Sequence, residues 1–169
     1  MRKILIAVLV TLSIQVYAQG KVILEKPHID KRVELLSIVF RLAERPEYSS
    51  NVFKLYADRI EQHFEKYKSH ELITFTKLII NGRGLSYDSP MWMAIHLDDN
   101  LNLLANVKDV WQQDSRWTKE NVEKFVPLLQ QFANDTRFDE FFTKNTNLYK
   151  ASLQTCNKTK IYKQKKKDK

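Results

Sequence analysis

The sequence predicts a mainly α fold, an irregular bundle of about six helices after a cleaved signal peptide. Two observations carry that reading. Apolar residues recur at spacings of three and four along most of the chain beyond residue 30. Residues suited to helix N-caps (Asp30, Ser69, Thr118, Thr136) stand just ahead of those runs, and no long series of strands or internal repeat interrupts them.

The start of the chain is of another kind. Met1-Arg2-Lys3 is basic, and Ile4 to Val16 is an apolar run broken only by Thr11, Ser13 and Gln15. Val16-Tyr17-Ala18 then offers small residues where a signal peptidase reads, so residues 1–18 are expected to be a signal peptide. The run is too short, and too soon followed by polar residues, for a membrane span. A secreted or periplasmic location follows as an expectation, with no membrane attachment after cleavage. Residues 19–155 then form one helical domain, and 156–169 a lysine-rich disordered tail.

The formal charge of +8 is unevenly placed. Arg2 and Lys3 hold two charges, and Lys158 to Lys169 a net of six, which leaves Gln19 to Asn157 neutral. A neutral body gives phosphate binding no electrostatic footing, so no nucleic-acid partner is expected. Cys156 is the only cysteine, so no internal disulfide can form and stability must come from packing. A secreted chain without disulfides leans towards a bacterial protein. Asn134-Asp135-Thr136 and Asn157-Lys158-Thr159 match the glycosylation pattern, a short motif.

Along the mature chain, Lys21 to Glu25 is a brief apolar stretch of open conformation. Asp30 caps a helix to about Ala43 with Val33, Leu36, Val39, Phe40 and Ala43 on one face, and Pro46 is expected to stop it. After Ser49-Ser50, a second amphipathic helix carries Val52, Leu55, Tyr56, Ile60, Phe64 and Tyr67. Ser69 caps a third helix that Asn81-Gly82 ends in a left-handed turn. Ser89-Pro90 opens a fourth, apolar nearly all round and therefore buried. Leu101 to Trp111 suits helix and strand equally. Thr118 caps a longer helix with Trp117 stapled to Val122; Val122, Phe125, Val126, Leu129 and Phe132 form its buried stripe, and Pro127 is expected to kink it. Thr136 caps a last helix carrying Phe138, Phe141 and Phe142.

The densest group of special residues is Asn81-Gly82-Arg83-Gly84-Leu85-Ser86-Tyr87-Asp88-Ser89-Pro90, with two of the three glycines of the chain. Arg83, Tyr87, Asp88 and His96 fall on or just beyond this turn and are the candidate cleft-lining residues. Arg83, Tyr87 and Trp92 are the candidate binding residues. Arg83 either pairs with Asp88 to staple the loop or faces solvent as a carboxylate fork. Tyr87 is a core-edge ring or a hydroxyl donor. His96 is a buried histidine bonded to backbone or to a neighbour such as Asp88 or Tyr87, or else a general base. No serine has a histidine and acid at a spacing suited to a nucleophile.

His70-Glu71-Leu72-Ile73-Thr74 begins like His-Glu-x-x-His, in which two imidazoles one helical turn apart bind zinc and the glutamate activates water. Thr74 stands where the second imidazole belongs. No metal site and no cofactor are therefore expected from this chain.

Several blocks taken together resemble a family. They are Val33-Glu34-Leu35-Leu36-Ser37-Ile38-Val39-Phe40-Arg41-Leu42-Ala43 with Glu47-Tyr48, Arg83 to Asp88 with Met93-Ala94 and His96-Leu97, and Phe138 to Phe142 with Tyr149. In this order they resemble the N-terminal half of a secreted bacterial domain-of-unknown-function family. Its complete members are similar to zinc metallopeptidases and carry His-Glu-x-x-His downstream. The resemblance implies a truncated member without catalysis of its own, zinc being implied only for complete members. Its partner would be a peptide substrate or the missing C-terminal half. The alternative is a self-sufficient, non-catalytic module that binds a peptide or glycan; metal-independent catalysis by Tyr87, Asp88 and His96 ranks last.

Overall fold

The computed structural model describes residues 28–104 and 110–158. Residues 1–18 (expected to be a signal peptide), the apolar stretch Lys21 to Glu25 and residues 159–169 of the expected tail lie outside the described residues. Within them the fold is mainly α. The sole β pairing among the described residues is an isolated bridge between Leu97 and Leu103.

Helix α1 (Lys31–Leu42) begins where the sequence places it. The Asp30 carboxylate accepts the N–H of Arg32 at 2.8 Å and of Val33 at 3.4 Å, satisfying two donors that the first turn leaves open. The Arg32 guanidinium folds back on Asp30 and donates to the Leu97 carbonyl at 2.5 Å, which fastens the start of α1 to a distant turn. It also holds the Asp30 carboxyl below the usual range. Leu35, Leu36, Ile38, Val39, Phe40 and Leu42 are all buried, more than one helical stripe, because α1 is covered by both α3 (Glu71–Arg83) and α4 (Ser89–Ile95). The stop differs from expectation. The chain leaves the helix at Ala43 and Glu44, the latter at φ 63°, and Pro46 instead opens a 3-10 turn, Pro46–Tyr48.

Helix α2 (Lys54–Phe64) runs into a second 3-10 turn, Glu65–Tyr67. Ala57, Ile60 and Phe64 are buried as an amphipathic helix requires. Two expected members of that face are not: Val52 and Leu55 are 84% and 59% exposed, beside Phe53 at 72%. Helix α3 is capped by His70 and not by Ser69, and it runs two residues beyond the expected stop. Asn81 and Gly82 are helical, and Gly84 takes the left-handed conformation at φ 68°. A residue with a Cβ would be strained there.

Helix α4 ends at Ile95, and the chain turns back through Asp98 to Asn102. The Leu104 N–H reaches the His96 carbonyl at 3.0 Å and the Asp98 N–H the Asn102 carbonyl at 2.8 Å. In the stretch suited to helix and strand equally, Leu101 turns at φ 62° and Leu103 makes the bridge to Leu97; a short helix, α5 (Val110–Gln113), follows the undescribed 105–109.

Helix α6 (Lys119–Asp135) matches its sequence pattern closely. The Thr118 hydroxyl accepts the Asn121 N–H at 3.1 Å, and Trp117 and Val122 are fully buried. Val122, Phe125, Val126, Leu129 and Phe132 are buried against α3. Thr136 does not cap the next helix. Its hydroxyl donates to the Phe132 carbonyl at 2.7 Å and closes α6, while Arg137, at φ 52°, precedes α7 (Phe138–Lys144) without a side-chain cap. The first glycosylation pattern thus lies in a helix end with its threonine buried. Helix α8 (Thr146–Lys158) turns back beside α7 and carries Tyr149 into the core. Its last three residues fall in the stretch read from sequence as tail. No helix of the described residues is long and apolar enough to cross a membrane.

Pro127 sits exposed in the middle of α6. It cannot donate to the carbonyl four residues back, a loss worth about 3 kcal/mol in a helix interior. Pro127→Ala is expected to raise unfolding free energy by about 1–3 kcal/mol in a denaturant titration. An unchanged or lowered value would mean that the proline is locally favoured.

Candidate functional site

The loop from Gly84 to Ser89 is held by a residue outside the expected set, Arg116. Its Nε and Nη2 donate to the two carboxylate oxygens of Asp114 at 2.8 and 2.9 Å. Nη2 also reaches Asp88 Oδ1 at 3.0 Å, and Nη1 the Ser86 carbonyl at 3.4 Å. Asp114 accepts the buried Ser89 hydroxyl at 3.2 Å, and the Trp117 indole donates to the Ser89 carbonyl at 3.1 Å. Burial alone would raise the Asp114 carboxyl, but the Arg116 guanidinium and backbone N–H outweigh it and hold it below the usual range. The loop is therefore fixed as a junction between α4 and α6.

The expected site residues are dispersed around that junction. Arg83 is exposed and donates through Nη2 to the Ser115 carbonyl at 2.7 Å; the arginine paired with Asp88 is Arg116, so the Arg83–Asp88 staple is not formed. His96 is buried, and its Nδ1–H donates to the Trp92 carbonyl at 2.7 Å, one helical turn back. That is the backbone-bonded arrangement and includes neither Asp88 nor Tyr87. Trp92 packs on His96 with ring centres 4.6 Å apart, and its Nε1 is buried without a hydrogen-bond partner among the described residues. Tyr87 is displayed beside the exposed Arg83 and Asp88, 71% exposed at φ 48°, with its carbonyl accepting the Tyr48 hydroxyl. Burial pushes that Tyr48 hydroxyl up to about 12.

His70-Glu71 serves the helix. His70 Nδ1 accepts the Leu72 N–H at 3.1 Å, so Nε2 carries the proton and faces Asp135 Oδ2 at 3.3 Å. Both ring nitrogens are engaged, and the Thr74 position carries no imidazole. These residues do not fit a zinc ion, and no group of three or more His, Cys, Asp or Glu that could hold a metal occurs among the described residues.

A different set of residues does converge. A cavity of about 490 Å³ opens between α1, α2 and α8, with Val52, Phe53, Leu55 and Leu148 in its walls and Glu34, Tyr56 and Tyr149 among its lining. The Tyr56 hydroxyl donates to Glu34 Oε1 and lies 2.8 Å from the Tyr149 hydroxyl. The two rings meet edge to face, centres 5.6 Å apart. Burial raises the Glu34 carboxyl above its usual range, against the opposing bond from Tyr56. Burial likewise raises the hydroxyl pKa of both tyrosines. Sequence reasoning placed Tyr56 on an apolar stripe and Glu34 inside a familiar block, and paired neither. The available signal was a carboxylate one helical turn before Ile38, on a helix whose apolar residues cover more than one face.

Two predictions follow from this geometry. Arg116→Ala, which strands the half-buried Asp114 carboxylate, is expected to cost about 2–3 kcal/mol in urea unfolding, against less than about 1 for Arg83→Ala. Because the Asp114 pKa is depressed, its contribution is present above the unfolded value of 3.8 and lost as pH falls through the folded one. The variant should lack that acid-side loss. Glu34 has the opposite sign: its pKa is raised, so stability falls as pH rises from 4.5 through the folded value. The melting temperature of Glu34→Gln relative to the parent should therefore climb between pH 4 and pH 8; a pH-independent gap would contradict the burial of this carboxyl.

Comparison with curated proteins and with solved structures gives no match. A family model described as a domain of unknown function, DUF4932, matches residues 23–165, which takes in every helix described above. The chain belongs to the DUF4932 family.

Proposed function

We propose that this chain is a secreted, non-catalytic helical module that holds a peptide segment in the cavity between α1, α2 and α8. The observation that carries this reading is the cavity itself. Large apolar side chains, Phe53 and Leu55, are held against solvent at its mouth above a hydrogen-bonded polar floor. Its volume falls within the range of ligand pockets, roughly 300–1,000 Å³, and apolar walls with a few convergent polar groups are their usual composition. Exposed apolar side chains gathered in one place mark interaction surfaces more often than chance. The resemblance to zinc-metallopeptidase-like proteins supplies a context. As the N-terminal region of such a protein, the module would grip a peptide while zinc and base come from the downstream half of complete members. Secretion is part of the proposal and rests on the signal-like residues 1–18.

Binding at the cavity and binding at the glycine turn are separable. Calorimetric titration of the full chain with acetyl-Leu-norleucine-Leu-amide is expected to show saturable binding. Phe53→Ser should weaken it at least about tenfold, since burying one such side chain is worth about 1.5–3 kcal/mol. Tyr87→Ser should leave it unchanged. Weakening by Tyr87→Ser and not by Phe53→Ser would move the site to the turn and overturn this reading.

A further inference from the structure

We infer that the cavity selects a lysine side chain flanked by apolar residues, with Glu34 receiving its ammonium group; this rests on reading the cavity as a peptide site. Glu34 lies in the lining with one carboxylate oxygen bonded to Tyr56 and no ion pair among the described residues. The nearby cations are already committed. Lys54 places its ammonium 2.7 Å from both carboxylate oxygens of Asp58. Arg41, two turns along α1, is spread over Glu61, Asn51 and the carbonyls of Tyr48 and Ser50.

A half-buried carboxylate without a cation is an unmet electrostatic demand, and the surroundings define what can meet it. Val52, Phe53 and Leu55 offer contact to a methylene stem, while the edge-to-face rings of Tyr56 and Tyr149 offer aromatic surface to a cation. An ammonium donates hydrogen bonds and has no acceptor, which matches a floor whose free groups are oxygens. A neutral side chain of the same length would bury the carboxylate and leave it unpaired, and a second carboxylate would repel it. The order of preference is therefore lysine, then norleucine, then glutamate.

The test is a calorimetric comparison of acetyl-Leu-Lys-Leu-amide with its norleucine and glutamate counterparts, on the full chain. Lysine is expected to bind at least about tenfold more tightly than norleucine, and glutamate most weakly. Glu34→Gln should bring lysine and norleucine to within about twofold of each other, the size of a pair's loss without its charge. The ligand series on the unaltered chain keeps the inference testable whatever that variant does. Equal binding of lysine and norleucine would overturn the lysine selection and leave the cavity reading standing. Binding of none of the three would overturn both; a dimer abolished by Phe53→Ser would then name a second copy of the chain as the occupant.

Discussion

The burial of α1 is the constraint on which the other elements depend. With a single cysteine and no disulfide to close the chain, the fold is held by apolar area. Leu36, Val39 and Phe40 are wholly enclosed, and α3 and α4 both pack on this one helix. A helix covered from two sides can keep only a few polar groups, and each has a task. Asp30 and Arg32 close its first turn and reach the Leu97 carbonyl, Arg41 ties down the loop at Ser50, and Glu34 meets Tyr56 at the cavity. The cavity is where the covering of α1 stops short.

Elements governed by local chemistry were legible in the sequence. Asp30 and Thr118 are caps as read, and the stripe from Val122 to Phe132 is buried as its period requires. Errors fell where two neighbouring residues could do one job. Gly84 ends α3 in place of Gly82, His70 caps it in place of Ser69, and Thr136 closes one helix instead of opening the next. His70 has a partner across the fold in Asp135, whereas Thr136 turns back to the Phe132 carbonyl of the helix it closes.

The candidate site was less legible, for a related reason. A cluster of special residues in one loop can serve function or joinery, and here Arg116, far along the chain, turns most of it to joinery. His96 shows the same thing on a smaller scale, its Nδ1 proton being taken up by the backbone one turn back. The groups that do meet at a cavity were each unremarkable in their own segments. Glu34 and Tyr56 are separated by 22 residues and Tyr56 and Tyr149 by 93, so no local window contains the trio.

That separation also fixes when the cavity can exist. Its floor needs α1 from one end of the described residues and α8 from the other, so a nascent polypeptide cannot assemble it until α8 has left the ribosome. Any occupant would then act as a clasp between the first and last helices, and vacancy would let α8 fray before the rest of the bundle loosens.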